Sequence, residues 1–470
     1  MSTQCTPLQL DFPQAGRRRL VARFAGGTIT SNGGAVLLRA VEAGIRVCRR
    51  AARCFRDHRD ARLVEHTVEE LVTQRVMALA LGYEDLNDHD TLRRDPLVAA
   101  VVGKSDPTGA SRSRAADRGA ALAGKSTLNR LELSGPEAPA DRYKKVSCDT
   151  AALDALLVDL FVESHARPPA RIVLDVDVTD DPLHGQQEGR FFHGYYRHYC
   201  YLPLYIFCGG HLLCARLRPA AIDAAAGVVD ELARVVAQVR QAWPGVEILV
   251  RGDSGFCREA LLSWCEAHRV DYVIGIAKNE RLKAQLAASQ AEAQARFAAT
   301  GQPARVFADL RYRTRQSWSR ERRVVGKAEH LPAGSNPRFV VTSLPRETLD
   351  ARTLYEALYC ARGDMENRIK EQQLALFADR TSSTSFRANQ LRLYWAALAY
   401  VLLHALRRLG LAGTRLARAQ CDTLRLRLLK LGAQVRISVR CIWVALADQV
   451  PDADLFVTAA QRLRAPPAAR

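Results

Sequence analysis

From Arg171 to Lys278 the chain switches repeatedly between a two-residue and a helical period, and no other feature restricts its fold as much. RIVLDVDVT alternates in period two, the spacing of a strand with two distinct faces. FFHGYYRHYCYLPLYIFCGGHLLCARLRP reads as two strands of a hairpin around CGG at 208–210. AIDAAAGVVDELARVVAQVRQAW is an amphipathic helix, VEILVRGDSGF a strand with its exit turn, REALLSWCEAHRV a helix and DYVIGIAK another strand. Strands joined through helices lie parallel, so this order predicts a mixed α/β domain with a partly parallel sheet.

The flanks read differently. RRRLVARFAGGTITSNGG suggests a short strand, a Gly-rich turn and a helix entered at Ser31 or Asn32. Helical patterns follow at 35–50 and 64–81. Residues 103–124 are small, polar and basic, an exposed loop able to touch phosphates. After 278, a helical stretch precedes strand-like VFADLRYRT, QSWSRERRVVGKAEHL and RFVVTSL, a β-rich insertion over 279–348. TLYEALYCARGDMENRIKEQQLALF is a long helix. LYWAALAYVLLHAL (393–406) is shorter than the ~20 apolar residues a bilayer needs, and reads as a buried helix. The tail predicts a helix followed by a strand. Nothing repeats at a period of 20–50 residues, so a solenoid is not expected. The expected division is a mainly helical region 1–165, an α/β domain 166–410 and a basic region 411–470.

The 470 residues carry a net charge of +18, and residues 401–470 alone hold 12 Arg/Lys against 4 Asp. Such an excess favours a polyanionic partner, nucleic acid first. Twelve cysteines include no C-x-x-C pair and no histidine pair at zinc spacing, which argues against a zinc finger or a disulfide framework and for reduced thiols. The start, MSTQCTPLQLDF, lacks the pattern of a signal peptide.

Three acidic positions stand out. Asp175 and Asp177 share one face of a strand, and burying charge is costly unless it is paired or metal-bound. An edge strand with one face in water is the alternative. Asp253 follows the C-terminal end of a strand, where ligands bind in open α/β sheets, and Gly252 and Gly255 permit a tight turn there. A plain Asp-Ser-Gly turn would also account for it. Tyr359, Arg362, Glu366 and Lys370 are spaced +3, +4 and +4, one stripe on a helix; a solvated face with both cations pairing Glu366 is the bland alternative. Two aspartates on neighbouring strands and a glutamate on a later helix make a set that could hold two Mg²⁺ ions.

The order Asp177, Asp253, Glu366 resembles the DDE transposases of bacterial insertion sequences. The 359–370 helix resembles the Tyr-Arg-Glu-Lys signature of their cut-and-paste group, with Tyr359, Arg362 and Glu366 in place. The lysine slot falls at Gln373, a departure for which Lys370, one turn earlier, is the substitute. LGYEDLNDHDTLRRDP, GKSTLNRLE, TDDPLHGQQEGRFFHGYY, YCYLPLYIF and RGDSGFCREALLSWC resemble the branch numbered thirteen-eighty. The resemblance implies a ribonuclease-H-like catalytic domain with a β-rich insertion, flanked by a mainly helical N-terminal DNA-binding region and a basic C-terminal region. It implies Asp177, Asp253 and Glu366 as catalytic ligands of two Mg²⁺ ions (Mn²⁺ can substitute), with Asp175 as the rival first ligand. Tyr359, Arg362, Lys370 and Trp318 would contact DNA, Trp318 by stacking on a flipped base. Also implied are double-stranded DNA as partner, a homodimer on it, no membrane, and a cytoplasmic, nucleoid-associated bacterial protein. A nuclease that never joins strands and an inactive DNA-binding derivative are the alternatives.

Overall fold

Eight runs of aliphatic and β-branched residues become strands of one large sheet: β1 (Arg171–Val178), β2 (Leu204–Cys208), β3 (His211–Arg216), β4 (Glu247–Gly252), β5 (Asp271–Ile276), β6 (Ala304–Tyr312), β7 (Arg322–Leu331) and β8 (Arg338–Thr342). Their order is β3-β2-β1-β4-β5-β8-β7-β6, and the two-residue strand Gly334–Ser335 pairs with β7. β1, β4 and β5 run parallel, and the other neighbours are antiparallel. The β-rich stretch 279–348 therefore lengthens the central sheet beyond β5. This computed structural model describes residues 9–137 and 145–464; the first eight residues of MSTQCTPLQLDF, and with them most of the segment read as lacking a leader, lie outside.

Helices cover both faces, as buried parallel strands require. On one face Val228–Ala242 and Glu259–Ala267 pack over Leu174, Val176, Val250 and Ile274. On the other, a helical run over 351–375 packs over Leu249, Val273 and Val340, and the helix Phe386–Ala405 packs over Tyr205 and Phe207. Phe386–Ala405 is buried nearly all round because the N-terminal helices Ala35–Ile45 and Val68–Ala80 share its core on the far side. Among the described residues no helix is long and apolar enough to cross a membrane, and the described cysteines are all free.

Several boundaries differ from the sequence expectation for local reasons. The helix expected from 64 begins at Val68, where Thr67 and Glu70 form a reciprocal capping box. The N-terminal helix starts at Ala35 rather than beside Asn32. The Asn32 side chain instead donates to Tyr83 Oη and Asp95 and accepts from Lys430 Nζ, joining the two ends of the chain. Gly34 permits that junction, since a Cβ there would sit 1.8 Å from the Leu428 carbonyl oxygen. Residues 191–201 do not extend the β2–β3 hairpin. They form a separate three-stranded sheet with Asp181–Pro182, because Pro203 has no N–H to continue the ladder. The tail, expected to end in one strand, has two, Ala433–Ile437 and Ile442–Leu446. The first of these also pairs with Ile29–Thr30, and a last helix, Ala453–Arg464, follows.

Candidate active site

Parallel pairing in register brings β1 and β4 together so that Arg251 faces Asp175 and Gly252 faces Val176. Side-chain alternation then separates two layers. Ile172, Leu174 and Val176 enter the core on one face, while Asp175 and Asp177 both project from the other.

The two aspartates meet different partners. Asp175 is buried and held bidentately by Arg251, with Nε to Oδ1 at 2.5 Å and Nη2 to Oδ2 at 2.8 Å. The same guanidinium donates to the Leu358 carbonyl, so this pair ties the 351–375 helix to the sheet. Asp177 lies one pleat further, with Oδ2 accepting from Arg362 Nη2 at 2.7 Å and Oδ1 from the Val178 N–H. Burial pushes its carboxyl up to about 6 against the pull of Arg362, and the charge of Asp253 adds to the rise.

Asp253 follows the last residue of β4. Its Oδ1 accepts from the Gly255 N–H at 2.9 Å and caps a short 3₁₀ turn, Ser254–Phe256. Gly252 is needed where the strands crowd, since a Cβ there would come within 2.9 Å of Val176 Cγ2. Tyr359 leans over the same strand ends, and a Cβ on Gly275 would lie 2.6 Å from its hydroxyl and 3.2 Å from the Asp253 carbonyl carbon. Burial, then the nearby Asp253 charge, raise the Tyr359 phenol, and Arg362 opposes them.

The 351–375 helix does not hold one period. It is π-helical over Leu354–Tyr359, 3₁₀ over Cys360–Arg362, α over Gly363–Lys370 and π again over Glu371–Ala375. A 3₁₀ turn eclipses residues three apart, so Arg362, which bonds Asp177, lies on the side of Tyr359, whose hydroxyl lies near the Asp253 backbone. Glu366 is one α-turn on: its side chain is 69% exposed and its carboxylate accepts from Lys370 Nζ at 2.8 Å. Among the described residues no group of three or more His, Cys, Asp or Glu side chains could hold a metal ion. Asp177 and Asp253 converge, Tyr359 and Arg362 join them, and Glu366 and Lys370 pair outside.

Trp318 lies elsewhere. It is buried in the core on the opposite face, edge-on to Tyr312 at 5.7 Å, with the Arg322 guanidinium 5.2 Å over its ring. Gln373, at the lysine slot, donates to the Asp180 carbonyl at 2.8 Å and to Asp181 Oδ1 at 3.0 Å, bracing the segment that follows Asp177. Burial drives the Asp181 carboxyl well above its ordinary value, and the neutral Gln373 amide is its partner. Neither Arg251 nor Asp181 stood out in the sequence. The arginine beside Asp253 gains meaning only from the strand register, and Asp181 only from its burial.

Asp177 and Asp253 lie at neighbouring strand ends, the first with its proton affinity raised by burial and then by the charge of the second. Arg362 keeps a buried Nε–H without a partner beside them, a donor suited to an anionic oxygen. None of the curated protein sequences matches the chain. The family described as Transposase DDE domain group 1 matches residues 12–468, nearly the whole length. The chain therefore belongs to the transposase DDE domain family, group 1.

Proposed function

We propose that this protein is a cut-and-paste DNA transposase of the insertion-sequence branch with the Tyr-Arg-Glu-Lys signature. It binds the terminal inverted repeats of its own element through the helical region 1–165 and the basic region 411–470, and a pair of protomers joins two ends. The observation that carries this reading is the convergence of Asp177 and Asp253 at adjacent parallel strand ends beneath Tyr359 and Arg362. The strand order β3-β2-β1-β4-β5 supports a ribonuclease-H-like core over 166–410.

In this reading Asp177 and Asp253 hold divalent cations, Mg²⁺ or Mn²⁺, and Glu366 is the third carboxylate. Its bond to Lys370 in the present arrangement yields when Lys370 turns to a DNA phosphate. Cations held by Asp177 and Asp253 would supply Lewis acidity at the scissile phosphate. The chain's own groups do the positioning. Arg362 orients Asp177 and offers its free N–H to a phosphate oxygen. The Tyr359 hydroxyl stands beside Asp253 to fix the phosphodiester. The reaction is hydrolysis of a phosphodiester at each element end, then attack of the freed 3′-hydroxyl on a second phosphodiester. No covalent protein–DNA intermediate is involved.

The test is excision of the element, carried with its flanks on a plasmid, by wild-type protein and by Asp253→Ala in Mg²⁺. Excision by wild type, with binding but no cutting by the variant, is the expected outcome. Equal cutting by both would put the active site elsewhere. Nicks without joined strands would favour a plain nuclease, and binding without cutting by either protein an inactive derivative.

A further inference from the structure

On the helical side of the molecule, the segment from Arg59 to His66, the loop 103–124 and the start of the helix Lys125–Glu132 enclose an open cleft of about 950 Å³. None of the residues around Asp177 and Asp253 lines it. Eight lysines and arginines face it against four carboxylates.

Those carboxylates are already committed to the walls. Asp106 accepts from the N–H groups of Thr108 and Ser111, Asp117 from Arg93, Glu65 from Arg112, and Asp90 from the Lys125 N–H. His66, 6% exposed, sits between Lys104 and Arg112 and accepts from Arg112 Nη1 at 2.8 Å. Burial and the two cations push its imidazole down to about 3, so it braces the wall without adding charge. Arg114 and Arg130 are different. Both are exposed on the lining, and among the described residues neither has a carboxylate within ion-pair distance. The result is a preformed concavity whose carboxylates are hydrogen-bonded within its walls and whose lining includes two arginines, Arg114 and Arg130, outside any ion pair among the described residues.

We infer that this cleft grips the phosphodiester backbone of duplex DNA, through Arg114 and Arg130, without reading its bases. The inference rests on the transposase reading for its ligand. Arg114 and Arg130, exposed on the cleft's lining and outside any ion pair among the described residues, are donors that suit phosphate oxygens, and the lining holds no Asn or Gln. A nucleotide phosphate is the competing source of the same chemistry, because Gly119 to Ser126 has the spacing G-x-x-x-x-G-K-S. That loop needs a preceding strand and free backbone N–H groups. Here no strand precedes it, the Leu122 N–H is spent on the Arg93 carbonyl, and the Ala123 N–H on Gln74 Oε1.

The test titrates full-length wild type and Arg114→Ala/Arg130→Ala against two labelled duplexes of equal length, the element's own end and an unrelated sequence, over a salt series. The double variant should bind both duplexes roughly tenfold more weakly at about 0.1 M salt, and the slope of log K against log salt should fall by about 2. Arg114→Lys/Arg130→Lys should bind like wild type. Unchanged affinity and slope in the alanine variant would overturn the inference, as would a loss confined to the element's end. Displacement of both duplexes by Mg·ATP, dependent on these two arginines, would also overturn it and make the cleft a nucleotide site. The transposase reading fails separately: it falls if wild type neither binds nor excises the element, whereas excision with unaltered binding by the alanine variant sinks the cleft alone.

Discussion

Asp177→Asn should make the metal-free protein more stable at neutral pH while removing a carboxylate the proposed chemistry requires. In the folded chain Asp177 is only 16% exposed, and burial, reinforced by Asp253 and opposed by Arg362, raises its pKa from 3.8 to about 6. At 1.36 kcal/mol per pH unit, that difference makes the ionised side chain cost the fold about 3 kcal/mol. The folded-state value is the higher one. The protonated group's contribution is therefore whole below pH 3.8, falls as pH rises towards 6 and is gone above it. An asparagine cannot ionise and escapes the penalty, while its amide oxygen still accepts from Arg362. Urea unfolding of both proteins in EDTA should place the variant about 3 kcal/mol ahead at pH 7.5 and only about 0.5 kcal/mol ahead at pH 4. A variant no more stable than wild type at pH 7.5, or an advantage independent of pH, would refute the reasoning. Mg²⁺ should then stabilise wild type more than the variant, because only wild type presents both carboxylates.

Two further outcomes separate the neighbouring residues. Glu366→Gln should abolish excision yet leave unfolding within about 0.5 kcal/mol of wild type, since its ion pair with Lys370 is exposed. Retained excision would remove Glu366 from the catalytic set. Arg251→Met should cost about 3 kcal/mol or more, because it strands the buried Asp175 carboxylate and frees the Leu358 carbonyl. The loss should deepen from pH 5 to pH 8 as Asp175 is forced to ionise without its cation. A near-neutral effect on unfolding would mean that the pair does not hold the helix to the sheet.

What the sequence by itself determined is the part governed by local geometry. Period two alone puts Asp175 and Asp177 on one face of β1. The hairpin at Gly209 and Gly210 and the apolar run 393–406 within the helix Phe386–Ala405 likewise follow from neighbours along the chain. Only the tertiary structure decided which aspartate takes Arg251 and which takes Asp253, because that depends on the register of β1 against β4, strands 76 residues apart. A constant helical period would have carried Glu366 along with Tyr359 and Arg362. The π and 3₁₀ turns shift the phase within a run that packs on the sheet. The burial of Trp318 and the junction of the chain ends at Asn32 were equally out of reach. Periodicity along a chain reports which residues share a face, whereas register, helical phase and desolvation are set by contacts between segments far apart in sequence.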